Sequence, residues 1–250
     1  MMLDYTKLAI AIVTWKRPKE LQRTLHAWTQ TLPDYRAGYI IANHQDSVNA
    51  DVQIPERFTV IPTGRPPEHA GNLSQSWNLA MLWAFRDPAV EWLLCSQDDV
   101  DIRSGWVEAI QSSPDRDLYL APAGDQVFLF NRSIFNEVGW FDERYTTIGY
   151  HEWDWQARVC RAFPQDRLSI EDAHGWSVNG CGLGTLWQRT DEPENGYKDE
   201  AHIGRNLAWM QDKWGIFLKN VMPNRVPEPH YGEIEWYPWH ARCQQTLSGS

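Results

Sequence analysis

Short apolar runs and longer amphipathic segments alternate along the first hundred residues of the chain. Four runs are almost continuously apolar, as is typical of strands buried on both faces of a parallel sheet; they lie at residues 7–13, 38–42, 58–61 and 92–95. Two intervening segments repeat apolar residues at helical spacing. One begins at Pro18 and the other at Asn72, whose spacing to Gln75 resembles a capping box. This alternation predicts an α/β domain with a twisted, mostly parallel central sheet flanked by helices.

The second half of the chain has a less regular pattern. Apolar runs predict three further strands, at 118–121, 126–130 and 167–170. Helical spacing of apolar residues predicts one helix that begins near Glu152 and a last helix across 203–214. The prolines that follow Val221 predict an extended tail on the surface.

Composition and charge narrow the class of protein. The 250 residues include 33 acidic and 23 basic side chains, which gives a formal net charge of −10 at pH 7. A charge of this sign repels phosphate backbones and therefore disfavours nucleic acid as a partner. We see no signal-peptide pattern and no apolar stretch of the roughly 18 residues that a membrane helix needs, so we expect a soluble, cytoplasmic protein without a membrane span.

Polar clusters follow three of the predicted strands, at the end of the sheet where parallel sheets bind ligands. These clusters lie at 14–17, 43–46 and 97–101. The last one contains Asp98, Asp99 and Asp101, carboxylates that repel one another unless a cation lies between them. Oxygen ligands suit magnesium or manganese, which also take substrate phosphates as ligands. A solvated acidic turn is the alternative interpretation of this cluster.

Two further candidates stand in the second half. The sequence HEWD at 151–154 begins a predicted helix, where the helix dipole alone favours acidic residues. Glu152 and Asp154 lie about 200° apart around a helix, so one can face a cleft while the other faces elsewhere. Asp154 can also pair with Arg158 one turn later. His174 follows a predicted strand and is either a metal ligand or a hydrogen-bonded surface residue.

The order of these features resembles that of the family-2 glycosyltransferases, which have the nucleotide-sugar-binding GT-A fold. The sequence DVD at 99–101 is similar to the D-x-D motif of that family, and GWFDE at 139–143 is similar to its Gly-x-Phe-Asp-Glu segment. The sequence HEWDW at 151–155 resembles its Glu-Asp-x-Asp-Leu stretch, with one departure. His151 stands at the position of the Glu, and Glu152 stands at the position of the catalytic Asp.

The resemblance implies a single GT-A-like domain over residues 1–220. Within it, a nucleotide-binding half would cover about 1–101 and an acceptor-binding half about 102–220, followed by a Pro- and Trp-rich extension at 221–250. The implied activity is the transfer of a sugar from a nucleoside-diphosphate sugar, with UDP favoured, to a hydroxyl group of a glycan or another acceptor.

The resemblance also implies roles for individual residues. The donor would be bound by Thr14, Arg17, Asn43, Asn78, Asp98 and Asp99. Manganese or magnesium would be held by Asp99, Asp101 and His174. In an inverting reaction, Glu152 or Asp154 would act as the general base.

Three alternatives stay open. The 15 tryptophans and the histidine at position 151 also fit a catalytically inert protein of the same fold that binds glycans or nucleotide sugars. A glycosyltransferase that acts on DNA bases is disfavoured by the net charge. A sugar-phosphate nucleotidyltransferase would need a glycine-rich loop after the first strand, whereas residues 14–18 contain no glycine.

Overall fold

The structure is a computed structural model, and it describes residues 3–32, 34–64, 71–121, 126–171, 176–190, 200–218 and 223–230. Within these ranges the strands are β1 (Leu8–Thr14), β2 (Ala37–Ala42), β3 (Phe58–Pro62), β4 (Trp92–Gln97), β5 (Val100–Ile102), β6 (Leu118–Ala121), β7 (Val127–Asn131), β8 (Leu168–Glu171), β9 (Ser177–Val178) and β10 (Trp187–Arg189). The helices of the same ranges are α1 (Pro18–Thr31), α2 (Leu73–Phe85), α3 (Trp106–Ser112), α4 (Arg132–Val138), α5 (His151–Ala162) and α6 (Glu200–Trp214).

Across the described residues, the central sheet has eight strands in the order β3-β2-β1-β4-β7-β6-β8-β9. Strands β3, β2, β1 and β4 are parallel to one another, and β6 is parallel to β8. Strands β7 and β9 are antiparallel to their neighbours. The predicted α/β fold with a mostly parallel central sheet is therefore confirmed, while the reversed strands add an antiparallel part that apolar runs alone do not reveal.

The central position of β1 in the sheet explains why its sequence is apolar throughout. It pairs with β2 on one side and β4 on the other, and all seven of its residues are buried. Alternate side chains enter opposite faces of the sheet. Ile10 and Ile12 share one hydrophobic cluster with Trp28 of α1, whereas Ala11 shares the other cluster with Trp77 of α2. Helices therefore cover both faces of this strand.

A second, two-stranded sheet forms from β5 and β10, with Asp101 opposite Gln188. Trp28, Trp106 and Trp187 pack against one another near these strands, with ring centroids 5.5–6.1 Å apart. The sequence did not predict β10, because a strand of three residues carries too little periodicity. Because β10 pairs with β5, the predicted metal ligand Asp101 lies in a paired strand.

The helix starts predicted at Pro18 and Asn72 are confirmed. Pro18 is the first residue of α1, and the Asn72 side chain accepts a hydrogen bond of 3.0 Å from the Gln75 N–H at the start of α2. None of the helices in the described ranges is both long and apolar enough to cross a bilayer. Residues 231–250 lie outside the described residues, so the surface extension and the domain limits stay predictions.

Candidate functional site

A groove opens at the carboxyl ends of β1, β2 and β3, and we call it the β1–β3 groove. Its volume is about 770 Å³, and its lining includes Trp15, Asn43, His44 and Thr63. The rings of Trp15 and His44 meet edge to face, with centroids 5.2 Å apart. Aromatic rings beside backbone and amide groups form a surface on which a planar heterocycle can stack and make hydrogen bonds.

The backbone around the groove is fixed by hydrogen bonds. The Asn43 N–H donates to the Thr14 carbonyl at 3.0 Å, and the Asn43 Oδ1 accepts from the Ser76 hydroxyl at 2.9 Å. Lys16 has a left-handed backbone, with φ at 51°, and its N–H donates to the Ser47 hydroxyl at 3.0 Å. Two residues predicted to bind the donor, Thr14 and Asn43, therefore lie at or beside this groove.

The acidic cluster follows β4 at the same edge of the sheet. Asp98 and Asp99 are each only 6% exposed, and the Oδ2 atom of Asp98 has no hydrogen-bond partner. Burial raises the pKa of Asp98 to about 7, an effect increased by the charge of Asp99 and opposed by the nearby Thr14 hydroxyl and by the charge of Arg17. A cation beside Asp98 would stabilise its ionised form.

Helix α1 holds the backbone of this cluster in place. The Thr24 hydroxyl of α1 lies 2.9 Å from the Asp98 carbonyl oxygen and 3.3 Å from that of Val100. The side chain of Asp101 is 55% exposed and faces Arg23, also on α1. The acidic segment is therefore anchored through its main chain.

The donor atoms of this cluster fit a divalent ion that uses few protein ligands. Mg²⁺ and Mn²⁺ are commonly bound by one or two carboxylates, with substrate phosphates and water as the other ligands. Asp99 and Asp101 supply such carboxylates. The described ranges contain no group of three or more His, Cys, Asp or Glu side chains that could hold a metal by itself. His174, the third predicted ligand, lies outside the described residues.

Glu152 lies in the first turn of α5, where its side chain is 13% exposed. The Nδ1 atom of His151, itself only 2% exposed, is 3.1 Å from the Oε2 atom of Glu152. The preceding loop has left-handed backbone at Thr147 and Tyr150, with φ at 58° and 67°. Such conformations cost about 1–3 kcal/mol each for non-glycine residues and occur often at functional sites.

The start of α5 and the end of β4 lie at the same edge of the sheet. Strand β8, which follows α5, runs in the same direction as β4 because two antiparallel pairings and one parallel pairing separate them. Helix α5 must therefore begin at the edge where β4 ends. Helix α2 connects the loop before α5 to the end of β2 at this edge, since its Leu73 N–H donates to the Thr147 carbonyl at 3.0 Å and its Ser76 hydroxyl donates to Asn43 Oδ1.

Asp154 lies in the interior, and both of its carboxylate oxygens have partners. Its Oδ1 is 2.6 Å from the Lys213 ammonium and accepts a hydrogen bond of 2.9 Å from the Trp214 indole, and its Oδ2 is 3.1 Å from the Arg158 Nε. Its side chain has no exposed surface. The predicted pair of Asp154 with Arg158 is present, and it forms part of a buried network that ties α5 to α6.

Asp142 belongs to the same network, which the sequence did not predict. Its Oδ2 lies 2.6 Å from Arg144 and 3.1 Å from Lys213. Burial alone would raise the pKa of Asp142, but the hydrogen bonds from Arg144 and the charge of Lys213 lower it to about 2. No sequence signal indicates that Lys213, in a helix more than fifty residues away, reaches these carboxylates.

Asn78 is also directed into the interior. Its amide nitrogen donates to the Phe141 carbonyl and to the Glu143 carboxylate, both at 2.9 Å, and its oxygen accepts from the Phe141 N–H at 2.8 Å. It is 1% exposed and does not line the β1–β3 groove. Its contacts join α2 to the GWFDE segment.

No family model matches the sequence, and no curated protein matches it. The crystal structure of residues 1–349 of S. aureus TarS in complex with UDP is 13% identical, with a TM-score of 0.51 over 86% of this chain and 73% of that chain. A second TarS 1–349 structure gives a TM-score of 0.43 at 13% identity, over 66% of this chain and 57% of the other.

A Drosophila β-1,4-galactosyltransferase 7 mutant, in complex with manganese, UDP-Gal and xylobiose, covers 89% of this chain and 91% of its own at 11% identity and a TM-score of 0.46. At these identities only the fold can be compared. The chain has a GT-A-like fold. The expected fold is thereby confirmed.

Proposed function

We propose that this chain is a metal-dependent glycosyltransferase that moves a sugar from a nucleoside-diphosphate sugar to an acceptor hydroxyl with inversion. One observation carries the proposal. A groove for a planar heterocycle, a buried acidic cluster and the Glu152 carboxylate all lie at one edge of a GT-A-like sheet. A donor with a base, a diphosphate and a sugar needs these three features in that order.

The β1–β3 groove would hold the nucleoside. Trp15 and His44 offer aromatic faces, and Asn43 offers amide and backbone groups next to them. UDP is the favoured nucleotide, in keeping with the TarS structure, which was crystallised with UDP. Asp98 would face the ribose or the metal from the end of β4.

Asp99 and Asp101 would hold the divalent ion, and His174 would be a further ligand. When bound, the ion would neutralise the charge that develops on the leaving diphosphate. Helix α1 would hold the acidic backbone in place through Thr24.

Glu152 would be the general base, in preference to Asp154. A base must reach the acceptor proton, and Glu152 retains some exposure while Asp154 has none and is paired with Lys213 and Arg158. His151, whose Nδ1 atom lies 3.1 Å from Glu152 Oε2, would pack beside this carboxylate. The acceptor hydroxyl would lose its proton to Glu152 as its oxygen attacks the anomeric carbon.

The experiment that tests the proposal measures the release of nucleoside diphosphate from UDP-sugars, with manganese and a panel of glycan acceptors. We expect turnover in the wild type and a loss of about 10²–10⁴-fold in Glu152→Gln, because a positioned general base contributes that much. UDP binding should remain, since Glu152 lies away from the β1–β3 groove lining. The matched control is Glu137→Gln, an exposed glutamate on α4.

Other outcomes would contradict parts of the proposal. Normal turnover in Glu152→Gln would exclude this residue as the base. Binding of a nucleotide sugar or glycan without any release of nucleoside diphosphate would instead identify an inert binding protein of the same fold. Transfer to hydroxymethylated DNA in preference to glycans would identify the DNA-modifying alternative.

A further inference from the structure

Among the described residues, three arginine side chains approach the carboxylates of Asp99 and Asp101. Arg17 Nη1 lies 3.5 Å from Asp99 Oδ2, and Arg189 Nε lies 3.8 Å from the same oxygen. Arg23 Nε lies 3.7 Å from Asp101 Oδ1. Arg17 and Arg23 come from the region of α1, and Arg189 comes from β10, so the tertiary fold brings the three together.

These contacts are long and involve single atoms. Strong pairs of arginine and carboxylate use two parallel hydrogen bonds of about 2.7–2.9 Å. Arg144 and Asp142 form such a pair in this protein, with distances of 2.7 and 2.6 Å. The contacts at Asp99 and Asp101 are weaker in comparison, and the side chains of Arg23 and Arg189 are 40% and 45% exposed. A phosphate group with better geometry could therefore attract these guanidinium groups away from the carboxylates.

The position of Arg189 is fixed by backbone hydrogen bonds. Arg189 is paired with Val100, the residue between the two carboxylates. The next residue, Thr190, donates its N–H and its hydroxyl to the Asp99 carbonyl at 2.8 and 3.0 Å. Arg23 donates to the Thr190 hydroxyl at 3.1 Å. Strand β10 thus holds Arg189 beside the acidic cluster and connects it to Arg23.

This arrangement has consequences for ligands of either charge. A divalent cation by itself would approach carboxylates that arginines already neutralise, and a diphosphate by itself would approach carboxylates that repel it. When both are present, the cation can bind the carboxylates and the arginines can bind the phosphate oxygens. Each ligand then removes the obstacle to the other.

We propose that Arg189 and Arg23 bind the diphosphate of the donor after leaving Asp99 and Asp101, so that the divalent ion and the diphosphate bind cooperatively. This inference rests on the proposed function, because it takes a nucleoside diphosphate as the ligand. It assigns a binding role to Arg23 and Arg189, which no sequence motif indicates.

The test measures manganese binding by electron paramagnetic resonance and UDP binding by calorimetry, each with and without the other ligand. In the wild type we expect each ligand to bind at least about ten-fold more tightly when the other is saturating, by the same factor in both directions. In Arg189→Gln, manganese alone should bind several-fold more tightly and UDP with manganese should bind about ten-fold more weakly. Arg189→Lys keeps the charge but lacks the planar guanidinium group, so its affinities should lie between those of the wild type and Arg189→Gln.

The matched control is Arg103→Gln. Arg103 lies one residue after β5, is exposed, and its side chain contacts the Thr185 carbonyl at 3.5 Å. Its substitution should leave both affinities and the coupling factor unchanged. Circular dichroism and thermal unfolding would verify that all variants fold.

The outcomes separate this inference from the proposed function. If the wild type binds neither UDP nor another nucleoside diphosphate in any condition, the proposed function is wrong. If UDP and manganese bind but Arg189→Gln behaves like Arg103→Gln, the arginine inference is wrong and the proposed function stands. If Arg189→Gln weakens manganese binding and UDP binding by the same factor, Arg189 has only a structural role. That result would also overturn the proposal that Arg189 leaves Asp99 to bind the diphosphate.

Discussion

Glu152 and Asp154 are two residues apart, yet their surroundings differ completely. Asp154 is buried and paired with two cations, whereas Glu152 keeps some exposure and faces a histidine. Helical geometry predicts that their side chains diverge, but it does not say which one faces the interior. Lys213 and Trp214 from α6 decide that, because they approach the Asp154 side of α5.

Asp98 is a second residue whose chemistry depends on its surroundings. Burial raises its pKa in the folded protein to about 7, well above the ordinary range of an aspartate. The stability that its neutral form provides is present below the unfolded pKa and is lost as the pH rises through about 7. Above neutral pH, the metal-free protein must therefore hold a buried negative charge.

The prediction at this scale concerns Asp98→Asn. With a chelator present, the free energy of unfolding of the wild type should fall between pH 5 and pH 8 by roughly 2–3 kcal/mol more than that of the variant. The reason is that Asp98 becomes charged over this range, whereas asparagine stays neutral. Urea unfolding at the two pH values measures this difference. The matched control is Asp101→Asn, whose side chain is 55% exposed and should show no comparable change. An equal difference at both pH values would argue against the raised pKa of Asp98.

At the scale of elements, the loop before β10 depends on one carboxylate. Glu171, the last residue of β8, accepts four backbone N–H bonds of 2.6–3.0 Å, from Cys181, Gly182, Leu183 and Gly184. Gly180 lies so close that a Cβ there would be 2.8 Å from the Glu171 Cγ. Because β10 follows this loop and pairs with β5, Glu171 helps to position Asp101 and Arg189.

We predict that Glu171→Gln loosens this loop. A glutamine amide offers only one acceptor oxygen, and its own N–H groups would face the backbone N–H donors of the loop. This should lower the free energy of unfolding by roughly 1–3 kcal/mol. The melting temperature should fall by a few degrees, and amide hydrogen exchange should speed up at 181–184. UDP should bind more weakly in the presence of manganese. The Glu137→Gln control should match the wild type, and unchanged exchange in the loop would contradict this role of Glu171.

Helix α6 is a second element whose role appears only in the folded protein. Its Lys213 is 2% exposed and lies within 3.1 Å of both Asp142 and Asp154. A buried ammonium needs such partners, because an unpaired charge in the interior is very unfavourable. The helix thereby fixes the segment that precedes Glu152 and the turn that contains it.

At the scale of the whole molecule, the distribution of charge matters more than its sum. The chain has a formal net charge of −10, yet Arg17, Arg23 and Arg189 are gathered at the acidic cluster. A net negative surface disfavours extended polyanions, while a local group of arginines can still bind a small phosphate ligand. This distribution agrees with a nucleotide donor better than with a nucleic-acid partner.

The prediction for the whole molecule concerns ligand-induced stability. UDP with manganese, at about one hundred times its dissociation constant, should stabilise the fold by roughly 2.7 kcal/mol and raise the melting temperature by roughly 5–10 °C. UDP alone and manganese alone should have much smaller effects. A thermal-shift screen that includes GDP and CDP as controls measures this. Equal shifts with all nucleotides, or none with any, would contradict a uridine donor.

Several features of the fold follow from local sequence. The buried strands β1 and β4, the helix start at Pro18 and the cap at Asn72 were predicted, because burial and capping leave a mark within a few residues. The position of the acidic cluster after β4 was predicted for the same reason. Strand β7 was predicted, but its antiparallel direction was not, and neither was the short β5–β10 pair, since strand direction and three-residue pairings leave no periodic signal.

The amino-acid sequence by itself determined the α/β class, the edge of the sheet that carries the polar clusters and the candidate carboxylates. Only the tertiary structure decided that Asp154 and Asn78 face the interior, that Lys213 pairs with two distant carboxylates, and that Arg189 lies beside Asp99. The physical reason is one of range. Periodicity and capping are properties of neighbouring residues, whereas burial and charge pairing depend on which distant segments pack together.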